Sequence, residues 1–296
     1  MAREEYLTIR GLRHRLLRWG PPVKSPIVLL HGHMDTSETW QFMIEHLPRD
    51  WSFVACDWRG FGGTDRAPGG YWFPDYYADL EAMLGQLVPA GRARLIAHSM
   101  GGLIAMIYAG VRPERIEWIV NLEGIGVPPA HPEQAPGRYA EWLNAVGREL
   151  RGARWPSVDS FALQLRAKNP RWTTAQAAFI ARAWTRPCAG GDGVELAADP
   201  RHRWPNPLLH RFEEVAACWR AVRAPLLLLL AEDSEHRSGY ERAGGAEPLK
   251  SAIRDFQLAW VSNAGHMMHI DNPAAVAAQI ERFGRAHASA TRCGLS

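Results

Sequence analysis

The chain has 296 residues, 47% of them hydrophobic, and a formal net charge of +3. This hydrophobic content is ample for a large core, and the charge is too small to indicate nucleic acid or an anionic membrane as a partner. No apolar run approaches the length of a membrane span, and the N-terminus leads into no apolar stretch of a secretory signal. We therefore expect a cytoplasmic protein. The sequence does not define its oligomeric state.

The cysteines give no sign of a metal site or of a disulfide framework. They are far apart in the chain and form no C-x-x-C pair. They are Cys56, Cys188, Cys218 and Cys293. We therefore expect no zinc site and no disulfide framework. Nor do we expect the protein's chemistry to need a metal or an organic cofactor.

Strand and helix patterns alternate through the first part of the chain. Residues 6–9 and 12–19 flank a turn at Gly11, which predicts a pair of strands. Residues 27–30 form a continuous apolar run, typical of a strand buried on both faces. The pattern further predicts strands at 51–55, 95–97 and 116–122 and helices at 73–88 and 103–109.

A serine lies between the strand at 95–97 and the helix at 103–109. The connecting residues are His98-Ser99-Met100-Gly101-Gly102. Small residues two positions before and two after Ser99 allow a tight turn that places the hydroxyl at its tip. The Met100 N–H then lies at a helix N-terminus, where developing negative charge is stabilised.

This turn resembles the G-x-S-x-G nucleophile elbow of the α/β-hydrolase family, with Ala97 in place of the first glycine. The serine argues against the related haloalkane dehalogenases and epoxide hydrolases, which have aspartate at the elbow. After the strand at 27–30, His31-Gly32-His33-Met34 resembles the family's H-G-x-x loop. The resemblance implies that the His33 and Met100 N–H groups form an oxyanion hole.

A second loop strengthens the resemblance. Residues 57–65 are similar to the family's D-x-R-G-x-G-x-S-D loop, with Thr64 in place of serine. Its glycines and carboxylates suit a compact loop with side chain–backbone hydrogen bonds. We expect structural roles for Asp57, Arg59 and Asp65.

The regular alternation stops after Glu123. Residues 124–219 are rich in Pro, Trp and Arg, with helical patterns between the prolines. The resemblance implies a helical cap here, inserted after the sixth strand, and a core made of residues 1–123 and 220–296. The expected fold class is α/β, an α/β-hydrolase fold with a mostly parallel central sheet flanked by helices. Strand patterns at 226–230 and 256–261 precede a final helix, which we expect Asp271 to cap.

The resemblance also implies a base and an acid for Ser99. His266 follows the last strand and a glycine, as in the family's G-H loop, and serine needs such a base to act as a nucleophile. Asp233 lies in the loop after 226–230, where the family usually places its acid, and the order Ser99, Asp233, His266 fits the fold. Glu123 is the alternative acid, and Glu235 is a third candidate.

These residues predict a serine hydrolase that cleaves a carboxylic ester through an acyl-enzyme intermediate. Carbon–carbon bond hydrolase, lactonase and thioesterase reactions on the same triad remain open, as does a non-catalytic ligand-binding protein on this fold. We expect a small, apolar or aromatic ester-like substrate. His98, Trp142 and Trp184 are candidates to contact it.

Overall fold

The computed structural model describes residues 2–126, 130–146, 148, 150, 152–242 and 244–287. Cys293 lies outside the described residues. The strands are β1 (Arg3–Ile9), β2 (Leu12–Trp19), β3 (Ile27–Leu30), β4 (Phe53–Cys56), β5 (Ala93–His98), β6 (Ile116–Leu122), β7 (Arg154–Trp155), β8 (Thr185–Pro187), β9 (Val194–Leu196), β10 (Leu226–Ala231) and β11 (Phe256–Val261). The helices are α1 (Gln41–Ile44), α2 (Phe73–Leu87), α3 (Met100–Val111), α4 (Ala135–Val146), α5 (Val158–Lys168), α6 (Thr174–Trp184), α7 (Phe212–Ala221), α8 (Arg237–Arg242), α9 (Glu247–Ala252), α10 (Met268–Asp271) and α11 (Pro273–Ala286).

The central sheet, within the described ranges, has eight strands in the order β1-β2-β4-β3-β5-β6-β10-β11. The pairs β1–β2 and β2–β4 are antiparallel, and every later pair is parallel. Parallel strands end at the same edge of a sheet, and ligand sites of such sheets form beyond their carboxyl ends. The loops after β3, β5, β6, β10 and β11 all leave from this edge.

Strand β10 shows why the sequences of the parallel strands are continuous apolar runs. Leu226, Leu228 and Leu230 pack on one face of the sheet with residues of α2, α3, α7 and α9. Leu227 and Leu229 pack on the other face with residues of α1, α10 and α11. Because successive side chains point to opposite faces, a strand covered by helices on both sides needs an apolar residue at every position. None of the described helices combines the length and apolar character needed to cross a bilayer.

The segment between β6 and β10 carries α4 to α7 and, among its described residues, a small sheet in the order β7-β9-β8. Helices α5 and α6 pack together through Phe161, Leu165 and Ile180 and reach Ile270 near the end of the chain. Helix α7 instead lies against α3, so closely that a Cβ on Gly110 would clash with the Cys218 carbonyl. The domain boundary expected between residues 219 and 220 therefore falls inside α7. This helix packs on the central sheet as one of its flanking helices.

Hydrogen bonds tie this inserted segment to the loops at the carboxyl edge. Trp172 Nε1 donates to Asp271 Oδ1 over 2.7 Å, and Trp184 Nε1 donates to Asp35 Oδ1 over 2.9 Å. The expected capping role of Asp271 is wrong: the N-cap of α11 is Asn272, whose side chain accepts from Ala275 N–H. The Asp271 carboxylate is occupied by Trp172 and by the Gly265 N–H.

Candidate active site

Ser99 occupies a strained turn between β5 and α3. Its φ is +51° and its ψ is −117°, in a region that residues other than glycine seldom adopt. The Ser99 N–H donates to the Leu122 carbonyl over 2.9 Å, which fixes the turn against the end of β6. A Cβ on Gly101 would lie 2.3 Å from the Leu30 carbonyl oxygen, so only glycine allows α3 to approach β3 this closely.

The His266 imidazole contacts the Ser99 hydroxyl, and the Glu123 carboxylate contacts the other nitrogen of that imidazole. His266 Nε2 lies 2.9 Å from Ser99 Oγ, and His266 Nδ1 lies 2.8 Å from Glu123 Oε2. An ionised carboxylate only accepts hydrogen bonds, so Nδ1 carries the proton and Nε2 accepts from the Ser99 hydroxyl. Glu123 is nearly buried, with 7% of its side chain exposed. The arrangement leaves a basic nitrogen directly at the hydroxyl.

Three hydrogen bonds hold the Glu123 carboxylate in its ionised form. Oε1 accepts from Ala231 N–H over 2.8 Å, and Oε2 accepts from Ser234 Oγ–H over 2.8 Å as well as from His266. Burial raises the pKa of Glu123, but the bonds from His266, Ala231 and Ser234 outweigh burial and place this pKa below its usual value. Glu123 has a φ of +51°, which directs it out of β6 toward the loop after β10.

The preference for Asp233 over Glu123 as the acid beside His266 is corrected by these contacts. The Asp233 carboxylate forms an exposed ion pair with Arg171, at 2.8 Å. Glu235, the third candidate, accepts from the His266 backbone N–H over 3.4 Å rather than from its ring. The loop after β10 contributes Ser234 to the site, and the carboxylate comes from the end of β6.

His98 lies beneath the site rather than in contact with the open space at Ser99. It is buried, and its Nε2 donates to the His266 backbone carbonyl over 2.9 Å. Burial, together with the neighbouring histidines His269 and His266, puts the pKa of His98 well below its usual value, so the ring is neutral. The expected substrate contact is therefore corrected: His98 positions the loop that carries His266.

The residues expected at the oxyanion hole lie beside Ser99. Met100 is the first residue of α3, where backbone N–H groups lack intrahelical acceptors. His33 follows Gly32, on which a Cβ would lie 3.1 Å from Ser99 Cβ. Both His33 and Met100 border a cavity that opens at Ser99. Both residues thus lie at the site, and the oxyanion-hole role of their backbone N–H groups stays a prediction.

The two candidate tryptophans differ in position. Trp142 borders the same cavity as His33 and Met100. Trp184 borders neither of the two cavities found at Ser99, and its indole N–H is engaged with Asp35. Trp184 therefore connects the inserted segment to the loop after β3. Contrary to the expectation, Trp184 is not placed to contact substrate.

Two site residues were not anticipated from the sequence. Ser234 donates to Glu123, and no motif signals a serine in this role. His202 stacks between Phe61 and Tyr71, at ring distances of 3.8 and 3.6 Å, and borders the cavity with Trp142. Burial lowers the pKa of His202 to about 3, so its ring is neutral.

One group within the described chain brings metal-ligating atoms together. Single ligand atoms of Asp35, His98 and His269 lie within 4.8 Å of one another. The Asp35 carboxylate already accepts hydrogen bonds from Thr36 N–H, Thr39 Oγ–H and Trp184 Nε1–H. These donors satisfy the buried carboxylate from within the protein.

Comparison with known proteins agrees with this architecture. Residues 27–279 match the model of the alpha/beta hydrolase family, and the chain belongs to that family. A serine hydrolase-like protein of Danio rerio is 27% identical over 276 residues, which cover 90% of this chain and 83% of that protein. Members and structural neighbours include esterases, thioesterases and dehalogenases.

Two solved structures illustrate the shared fold. A hypothetical protein from Pseudomonas aeruginosa superposes with a TM-score of 0.83 at 25% identity, covering 96% of this chain and 99% of its own. The thioesterase domain from the curacin biosynthetic pathway superposes with a TM-score of 0.82 at 23% identity, covering 95% and 99%. The second likeness is one of fold alone.

Proposed function

We propose that this protein is a serine hydrolase that cleaves carboxylic esters, with Ser99 as nucleophile, His266 as base and Glu123 as the orienting acid. The observation that carries the proposal is the unbroken contact from Ser99 Oγ to His266 Nε2 and from His266 Nδ1 to Glu123, at 2.9 and 2.8 Å. Nucleophile, base and orienting acceptor in this geometry define the triad logic of acyl transfer.

The first half-reaction forms an acyl-enzyme. Ser99 Oγ attacks the ester carbonyl carbon while His266 Nε2 takes the hydroxyl proton, and Glu123 stabilises the resulting imidazolium. The backbone N–H groups of His33 and Met100 are proposed to hold the oxyanion. As the carbon–oxygen bond to the alcohol breaks, His266 gives its proton to the departing oxygen.

Water completes the cycle at the same atoms. His266 Nε2 takes a proton from a water molecule, whose oxygen attacks the acyl carbon. The bond to Ser99 Oγ breaks, the serine recovers its proton from His266, and the acid leaves. Apart from the substrate and this water molecule, each step uses only groups of the chain.

We further propose that α4 to α6 and the small sheet β7-β9-β8 act as a cap. Trp142, from α4, and the residues around Trp204 wall a cavity that reaches Ser99. Since these residues come from the segment between β6 and β10, this segment forms part of the wall around the space available to substrate. The same residues would serve thioester, lactone or carbon–carbon bond cleavage, and ester hydrolysis is preferred as the least demanding reaction.

The test is hydrolysis of p-nitrophenyl butyrate by the wild type and by Ser99→Ala. Loss of the nucleophile in a triad costs on the order of a million-fold in kcat. We expect release of p-nitrophenol from the variant to fall to the background rate, with the far-ultraviolet circular dichroism spectrum unchanged. Equal rates for a folded Ser99→Ala and the wild type would overturn the proposal.

A further inference from the structure

Two cavities border Ser99. One has a volume of about 370 Å³ and the other of about 430 Å³. Both are bordered by Ser99, Glu123 and Gly126. Each is large enough for a ring-sized group, since small-molecule sites in proteins begin at about 300 Å³. A substrate that occupied only one cavity would leave half of the site unused.

The residues around Ser99 distinguish the two cavities chemically. His33 and Met100, the expected oxyanion donors, border the first cavity and not the second. His266 borders the second cavity and not the first. The departing alcohol oxygen must lie at His266 to receive its proton, whereas the acyl carbon carries the oxyanion. The second cavity is therefore the leaving-group cavity, and the first is the acyl cavity.

Many of the side chains that line the acyl cavity are aromatic. Its lining includes Tyr71, Trp72, Phe73, Trp142 and Trp204. The Trp72 and Trp142 rings are 6.0 Å apart and inclined at 57°. Aromatic side chains contact a planar ring favourably both face to face with an offset and edge to face. This lining favours an aromatic acyl group over a branched or polar one.

The leaving-group cavity combines apolar side chains with two polar atoms that have no hydrogen-bond partner among the described residues, Trp219 Nε1 and the Tyr240 hydroxyl oxygen. Phe212, Trp219 and Leu249 line one part of it. Tyr240 also lines it, and the buried Tyr240 hydroxyl has no hydrogen-bond partner anywhere in the described chain. Buried hydroxyls normally have a partner, so we infer that a small shift of Tyr240 on ligand binding lets this hydroxyl donate to the ligand. An alcohol that carries an ether or carbonyl oxygen would provide the acceptor.

We propose that the natural substrates are esters of aryl-substituted acids, with the aryl acyl group in the acyl cavity and an oxygen-bearing, largely apolar alcohol in the leaving-group cavity. This inference rests on the proposed function, because the assignment of the cavities follows from the roles of Ser99 and His266. It adds to that function the class of group on each side of the scissile bond.

The orientation is tested with two isomers, ethyl phenylacetate and 2-phenylethyl acetate, which carry one phenyl ring on opposite sides of the same ester. Trp142→Ala removes an acyl-cavity wall from a helix with no buried residue. Phe212→Ala removes a half-buried wall of the leaving-group cavity. The measurement is the ratio of kcat/KM for ethyl phenylacetate to that for 2-phenylethyl acetate.

We expect the wild type to prefer ethyl phenylacetate, and Trp142→Ala to lower the ratio about tenfold while Phe212→Ala raises it. If both ratios stay at the wild-type value, or change in the opposite directions, the cavity assignment is wrong. Ser99-dependent cleavage of p-nitrophenyl butyrate in that case leaves the proposed function standing. If no ester is cleaved in a Ser99-dependent way, both the function and the assignment are wrong.

The hydroxyl is tested separately with Tyr240→Phe, which deletes one oxygen and keeps the ring. The probes are 2-methoxyethyl phenylacetate, which presents an ether oxygen in the alcohol, and butyl phenylacetate, its hydrocarbon counterpart. We expect Tyr240→Phe to lower the kcat/KM ratio of the methoxyethyl to the butyl ester about tenfold. An unchanged ratio would show that Tyr240 does not recognise the alcohol.

Discussion

His266 Nδ1 lies 2.8 Å from Glu123 Oε2, whereas the Asp233 carboxylate pairs with Arg171 over 2.8 Å at the surface. In the proposed triad, the acid that orients the base thus comes from the end of β6. Glu123 is held by the backbone of Ala231 and by Ser234, so its position depends on the pairing of β6 with β10.

The first prediction separates the two carboxylates. Glu123→Gln places an amide beside His266 Nδ1, and it favours the wrong imidazole tautomer, so kcat should fall by about ten-thousand-fold. Asp233→Asn loses only an exposed ion pair, and kcat should stay within about twofold of wild type. Initial rates with p-nitrophenyl butyrate measure both. Loss of activity in Asp233→Asn with a fully active Glu123→Gln would reverse the assignment.

The second prediction concerns Ser234, which acts on the reaction only through Glu123. Ser234→Ala removes one of the donors to Oε2, and substitutions of residues that orient a catalytic group typically cost about 10–100-fold. We expect kcat to fall by at least about tenfold with little change in KM, and Ser234→Thr to restore part of it. Ser251→Ala, at an exposed serine in α9, is the control. A kcat for Ser234→Ala equal to that of the control would exclude this role.

The third prediction tests the tight approach of the elbow to β3. A Cβ on Gly101 would lie 2.3 Å from a backbone oxygen that cannot move aside, so Gly101→Ala should destabilise the fold by about 1–3 kcal/mol or more. Gly85, in α2, has open space around it, and Gly85→Ala should stabilise by about 0.5–1 kcal/mol. Urea unfolding measures both. A Gly101→Ala protein as stable as wild type would mean that the elbow is not packed as described.

The fourth prediction follows from the buried, neutral His202. Its pKa in the folded protein is about 3, below the ordinary value of about 6.5 expected in the unfolded chain. Below pH 6.5 or so, the unfolded chain binds a proton that the folded protein does not, so stability falls as the pH falls toward the folded pKa. The contribution is at most about 1.4 kcal/mol per pH unit.

His202→Phe removes this titration and keeps a planar ring between Phe61 and Tyr71. The free energy of unfolding of the variant should therefore decline less steeply than that of wild type between pH 6.5 and about pH 4.5. Urea unfolding at several pH values measures the difference in slope. Parallel curves for the two proteins would show that His202 is protonated as readily in the folded state as in the unfolded chain.

Much of the fold could be predicted from the sequence because the relevant patterns lie within short stretches of neighbouring residues. The five leucines of 226–230 predict a buried strand, and the glycines after Ser99 predict the sharp turn into α3. The small strands β7, β8 and β9 were not predicted, since two or three residues in a proline-rich segment carry no periodic pattern. Their pairing is set by tertiary contacts.

The proposed nucleophile and base were predicted from their motifs, but the proposed acid was not the preferred one. Asp233 and Glu123 both follow strands that end at the same edge of the sheet, and fold position alone favoured Asp233. The choice depends on backbone direction: Glu123 adopts a φ of +51°, which brings its carboxylate to the Ala231 N–H and to His266. The sequence does not show which non-glycine residue adopts a positive φ.

The most direct measurement of the central claim is covalent labelling of the protein with a fluorophosphonate, followed by peptide mapping by mass spectrometry. A hydroxyl activated by His266 should react with a single equivalent of the reagent, and the modified residue should be Ser99. Ser99→Ala should remain unlabelled, and Glu123→Gln should react far more slowly than wild type. An adduct at another residue, or equally fast labelling of Ser99→Ala, would contradict the account.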